Sequence, residues 1–116
     1  MGLRQEKFGK QIQRDLSELF NINKNEWLLG AFVTISNISV SPDLGHIKIY
    51  ISLYNNPKRA SILAQLDFCN KDIRHALAQR IRNSVKKMPN LHFYEDDTLE
   101  YVAKMEDLLK TINNPK

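Results

Sequence analysis

A chain of 116 residues holds the core of one ordinary domain and no more, so residues 1–116 are expected to form a single unit. Its 42% hydrophobic content fits a soluble globular fold, and no apolar run approaches the roughly 18 residues that a membrane span needs, which excludes a membrane role. The formal net charge of +4 is unevenly spread: four cations and one anion lie between Met1 and Arg14, six cations and one anion between Lys71 and Lys87, and six anions and one cation between Glu95 and Asp107. The opening MGLRQEKFGK is basic but has no apolar centre, so it is not a secretory signal and a cytoplasmic address is expected. Cys69 is the only cysteine, which excludes an internal disulfide and a cysteine-based zinc site and leaves a small buried thiol.

In chain order, Phe8, Ile12, Leu16, Leu19 and Phe20 recur at helical spacing and predict an amphipathic helix from about Leu3 to Phe20. Arg4, Lys7, Lys10 and Arg14 stand opposite that stripe. Asn21, Asn23, Lys24 and Asn25 break the pattern, and Trp27, a packing residue, leads with Leu28 and Leu29 into the first strand. The stretch from Phe32 to Tyr54 is the densest run of β-branched residues. Ile47, Ile49, Ile51 and Leu53 alternate with His46, Lys48, Tyr50 and Ser52, a period of two that places the apolar set on one sheet face. Val33 and Ile35 have the opposite parity to Ile38 and Val40, so a β-bulge at Ser36 or Asn37 is needed to bury both pairs. Ser41-Pro42-Asp43-Leu44-Gly45 predicts a turn between antiparallel strands, with Gly45 free to take positive φ.

Asn55-Asn56-Pro57 then supplies a cap and a first-turn proline for a second helix running to about Asp67. Its phase is lost around Phe68, Cys69 and Asn70, which predicts a kink. Ile73, Leu77, Ile81 and Val85 at i+4 steps predict a third helix ended by Pro89. Residues Leu91–Tyr94 form a third strand, whose long helical connection allows a parallel return, so the sheet is expected to be mixed. Asp97 or Thr98 caps a last helix with Val102, Met105, Leu109 and Ile112 on its apolar stripe.

The chemistry of this pattern is that of a binder. The four glycines are scattered and none opens a helix after a strand, so no phosphate loop for nucleotide hydrolysis exists. His46, His75 and His92 do not pair at i+3 or i+4, so a metal site would have to be assembled by the fold, and none is expected. Glu95-Asp96-Asp97 is explained by a helix start, and no nucleophile with nameable partners is recognisable. No catalytic residue, cofactor or small-molecule substrate is therefore expected. Lys71, Arg74, Arg80, Arg82, Lys86 and Lys87 flank the apolar stripe of the third helix, and a merely solvated helix would interleave glutamates where only Asp72 is acidic. Such a face can neutralise several phosphates at once, with steep salt dependence. Arg4, Lys7, Lys10 and Arg14 offer a second patch if the first helix packs alongside.

The order helix, strand, strand, helix, kink, helix, strand, followed by a C-terminal helix, is the layout of a type II KH domain, an α+β fold with helices on one face of a three-stranded sheet. The usual GxxG clamp is absent, since the junction reads Asp67-Phe68-Cys69-Asn70-Lys71-Asp72. Layout and missing clamp together resemble the bacterial ribosome-binding factor A family. The resemblance is carried by Val40-Ser41-Pro42-Asp43-Leu44, by His46-Ile47-Lys48-Ile49-Tyr50-Ile51-Ser52, by Ile73-Arg74, and by Pro89-Asn90-Leu91-His92-Phe93 followed by Asp97. In that family a small-x-Gly kink replaces the clamp, so the resemblance puts Cys69-Asn70-Lys71 there, with Lys71 where glycine is usual. It implies a non-catalytic assembly factor, expected to be a monomer, that binds the immature small (30S) ribosomal subunit and its 16S rRNA and assists late maturation and rRNA processing. The alternative from another class is a protein-interaction module that dimerises or holds a partner through its sheet edge or apolar first helix.

Overall fold

A computed structural model describes residues 3–53, 56–83, 85–96 and 105. The chain runs through helix α1 (Leu3–Ile22), a short helix α2 (Lys24–Trp27), strands β1 (Thr34–Val40) and β2 (His46–Ser52), helices α3 (Arg59–Phe68) and α4 (Asn70–Ile81), and strand β3 (Asn90–Glu95). The expected last helix beginning at Asp97 or Thr98 lies outside the described residues.

The strands form one sheet in the order β1-β2-β3, with β1 antiparallel and β3 parallel to the central β2. This is the mixed α+β, KH-like layout read from the sequence. The bulge falls between Ile35 and Asn37, where the register jumps from Ile35↔Ile51 to Asn37↔Tyr50. It turns Ile35 and Val40 to the same side despite their opposite parity, and both are buried.

One sheet face carries the core. Ile47, Ile49 and Ile51 of β2 are inaccessible to solvent, and Leu91 and Phe93 of β3 stand beside them. Onto this layer pack Phe8, Ile12, Leu16, Leu19 and Phe20 of α1, Ile62 and Leu66 of α3, and Ile73, Leu77 and Ile81 of α4. Truncating one such isoleucine to alanine costs about 2–5 kcal/mol. The side-chain amides of Gln5 and Gln13 donate to the Val40 and Ile35 carbonyls at 2.8 and 3.1 Å, pinning α1 along β1. Trp27 packs edge-on against Phe20 as the packing residue expected, but from a helical turn rather than from a lead into the first strand. Leu29 and Gly30, both at positive φ, turn the chain toward β1.

The second helix starts later than its proline. The Asn56 carboxamide accepts the Lys58 N–H at 2.8 Å, Pro57 and Lys58 form a turn, and regular helix begins at Arg59. The turn between β1 and β2 also departs from expectation. Leu44, not Gly45, takes the left-handed conformation, at φ 59°. A side chain at Gly45 would be tight for another reason: a Cβ there would lie 3.2 Å from both Asp43 carboxylate oxygens, one of which accepts the Gly45 N–H, so the Asp43 side chain would have to give by a few tenths of an ångström.

At the helix junction Cys69 sits at φ −91°, ψ 5°, closing α3 and opening α4. Any L-residue adopts that negative φ, and Lys71 lies within α4, so the kink forms without glycine. Asn70 fixes its direction by donating to the Leu91 carbonyl at 3.0 Å. The largest departure from the sequence reading is the length of the helix that follows. Expected to reach Pro89, α4 stops at Ile81, with Arg82 and Asn83 in a turn. Two features explain it. The Asn83-Ser84 pair favours turns over helix, and the Arg74 guanidinium holds the Met88 and Pro89 carbonyls, drawing the chain back beside α4 to enter β3.

Candidate nucleic-acid interface

The ten cations singled out in the sequence separate into three groups. Arg4, Lys7, Lys10 and Arg14 are all exposed along α1, opposite the stripe that meets the sheet. Lys71 and Arg82 are exposed at the two ends of α4, eleven residues or about three turns apart and so on one side of it. Lys86 and Lys87, exposed in the loop leading to β3 rather than on a helix, complete this second group. None of these eight makes an ion pair among the described residues.

Arg74 and Arg80 form the third group. Arg74 is half-buried, and its Nε and one terminal nitrogen donate to the Pro89 and Met88 carbonyls at 2.9 and 2.7 Å. Arg80 reaches across to α1, where Glu18 accepts its hydrogen bond and Asp15 lies 3.8 Å away. Both guanidiniums are engaged within the fold, one tying the α4–β3 loop and the other joining α4 to α1.

The fold brings Arg4 of the α1 patch together with the loop cations. Arg4, Lys86 and Lys87 line one cleft of about 600 Å³ at the end of the sheet where β2 and β3 begin, with His46 and Asn90 on its wall and Asp43 the single acid among the described residues. The Ser41 hydroxyl and the Gly45 N–H donate to the Asp43 carboxylate, which lowers its pKa below the usual value. It therefore stays ionised and engaged with its own turn. The thiol of Cys69 is pushed the other way, raised by burial and then by the charges of Asp72 and Glu26. Buried and held protonated, it is the inert core thiol expected of it.

The sheet face away from the core supplies residues the sequence reading did not select. His46 and His92 stack at 5.4 Å between centroids, with Nδ1 of His46 and Nε2 of His92 3.1 Å apart. Tyr50 and Tyr94, register partners, stack at 5.5 Å. Lys48 lies exposed between the two pairs, opposite His92. The parallel register carries the signal: once His46 pairs with Asn90, alternate residues of both strands must share this face. The histidines thus do meet, but no group of three metal-ligating side chains exists among the described residues.

Residues 4–109 match the family model described as ribosome-binding factor A. A ribosome-binding factor A from Flavobacterium psychrophilum is 37% identical over 97% of this chain and 87% of its own length. Among solved structures, a solution structure of a ribosome-binding factor A homologue from Thermotoga maritima is 26% identical, with a TM-score of 0.69 over 83% of this chain and 90% of that one. A homology model of the Thermus thermophilus ribosome-binding factor A, fitted into the cryo-EM map of a 30S complex, has the same fold at 21% identity, with a TM-score of 0.59 over 76% of this chain and 90% of that one.

Proposed function

This chain belongs to the ribosome-binding factor A family, and on that premise we propose that it is a non-catalytic assembly factor. It binds the immature small ribosomal subunit, contacts its 16S rRNA, and assists late maturation and rRNA processing in the cytoplasm. Its Thermus thermophilus relative was placed in a 30S complex, and the same partner suits the charge distribution here.

The observation that carries the reading is the set of exposed cations that make no ion pair among the described residues, three of which, Arg4, Lys86 and Lys87, line the cleft at the sheet end. Arg4 with Lys86 and Lys87 on its wall, and Arg82 at the end of α4, would hold successive phosphates of a folded RNA. Lys71 at the other end of α4, and Lys7, Lys10 and Arg14 along α1, extend the contact. Phosphate contacts position a protein without reading sequence, so specificity would lie in the shape of the RNA. Arg74 and Arg80 would serve this surface indirectly, by holding the loop and the two helices in place.

The test is co-sedimentation of the purified protein with isolated small subunits, large subunits and whole ribosomes at low and high salt. Salt-sensitive binding confined to free small subunits is the expected result; no binding to any particle overturns the proposal. The same experiment separates the alternative of a protein-interaction module. The apolar stripe of α1 is consumed by the core, which removes one of its two surfaces, but Phe32 stands 79% exposed beside a second cleft lined by Leu28 and Val33. Binding through such an apolar surface would change little with salt.

A further inference from the structure

Among the described elements every helix packs on one face of the sheet, and the other face is left open. In an ordinary α+β domain an open face is polar and undistinguished. Here it carries two stacked pairs of planar side chains. Tyr50 lies on Tyr94 and His46 on His92, with interplanar angles of 27° and 29°. Tyr94 is 43% exposed although it is a large aromatic residue paired within the sheet, where burial on the helix side would have stabilised the fold more.

Rather than standing alone, the ring pairs continue into the basic cleft, because His46 belongs both to the histidine stack and to the cleft wall that holds Arg4, Lys86 and Lys87. Lys48 adds a cation between the two stacks. Among the described residues, the acids near this track are Asp43, whose carboxylate is occupied by Ser41 and Gly45, and Asp96, which accepts from Ser36 at the far end.

We propose that this face is a platform for single-stranded RNA, on which two or three bases stack against the Tyr50–Tyr94 and His46–His92 pairs while the adjoining phosphates run into the basic cleft. The proposal rests on the RNA-binding reading given above and names a second, distinct mode of contact within it. Two physical requirements of single-strand binding coincide here and nowhere else among the described residues: flat π-faces at strand spacing, and a cationic track leading away from them. From His46 to Tyr50 the strand advances about 13 Å, room for two or three bases. Stacking tolerates any base, so the platform would take unpaired RNA with little sequence preference and reject duplex RNA, whose bases are already stacked.

The experiment is fluorescence anisotropy of the full chain with a labelled ten-nucleotide single-stranded RNA, set against the same strand in a duplex, for the wild type, Tyr94→Ala and Tyr94→Phe. Tyr94 touches no core residue's face of the sheet, and thermal melting of each variant checks that the fold is kept. The expected result is preference for the single strand, a loss of affinity of at least about 5-fold in Tyr94→Ala, and retention within about 2-fold in Tyr94→Phe. No measurable binding of the single strand, equal affinity of Tyr94→Ala and wild type, or preference for the duplex overturns the platform. If wild type co-sediments with small subunits but Tyr94→Ala binds the oligonucleotide unchanged, the platform fails and the ribosomal reading stands. If no particle binds but single-strand affinity depends on Tyr94, the platform stands without its ribosomal setting.

Discussion

Arg74 and Arg82 lie eight residues apart in the same basic segment, yet the fold uses them in opposite ways. Arg74 is half-buried and spends its guanidinium on two backbone carbonyls of the loop before β3. Arg82, one residue past the end of α4, is exposed and makes no ion pair among the described residues. Charge patterning marks both equally, and only their surroundings separate a cation that holds the chain from one that is available to a phosphate. The comparison teaches that a basic stretch should be divided by hydrogen-bond partners before its charges are assigned to a ligand.

The largest effect should come from the exposed set. Reversing Arg82 and Lys86 together to glutamate removes two phosphate contacts, on the order of a 50-fold loss of small-subunit affinity at about 0.1 M salt, with the melting temperature nearly unchanged. Equal binding would exclude both residues from the interface. Next, Arg74→Ala strands the Met88 and Pro89 carbonyls and should cost about 1.5–3 kcal/mol in urea unfolding. With the loop that carries Lys86 and Lys87 less firmly held, small-subunit binding should weaken only by a fraction of the loss in the double variant, and a large loss of binding without a loss of stability would invert the comparison. A smaller cost, about 0.2–1 kcal/mol, is expected for Arg80→Ala, because Glu18, which accepts its hydrogen bond, is exposed and water screens the pair. Its measurement by the same unfolding curve bounds how much the α1–α4 bridge contributes.

The smallest effect concerns the turn at the cleft. Because the folded-state pKa of Asp43 is lowered, its contribution is present above the ordinary carboxylate pKa and is lost as pH falls through the lower folded value. Asp43→Asn should therefore lower stability slightly in the neutral region and converge with the wild type as pH falls, which flattens the acid limb of its stability curve. A variant whose acid limb matches the wild type would show that the Ser41 and Gly45 hydrogen bonds do not stabilise the ionised carboxylate.

Much of the fold was legible because it rests on short-range periodicity. The alternation of Ile47, Ile49 and Ile51 fixed the buried face, and the clash of parity between Ile35 and Val40 located the bulge before any coordinates. The end of α4 was not legible, because Val85 keeps the helical phase of Ile73, Leu77 and Ile81 and still packs against the core, but from a loop. Periodicity cannot distinguish those two ways of burying a side chain. The roles of Arg74 and Arg80 depend on partners 14 or 15 residues away in one case and 62 in the other, which no local pattern encodes. The ring pairs on the open face were hidden for a related reason: each joins residues more than forty positions apart through a parallel register that has to be known first.

The central claim is that the exposed cations around the sheet-end cleft hold the RNA of the small subunit. Its most direct test is the slope of log affinity against log salt concentration for small-subunit binding, measured for wild type and for Arg82→Glu/Lys86→Glu. A wild-type slope that becomes shallower by about two units in the double variant, roughly 0.9 for each phosphate contact removed, is the predicted result. Parallel lines for the two proteins would contradict it.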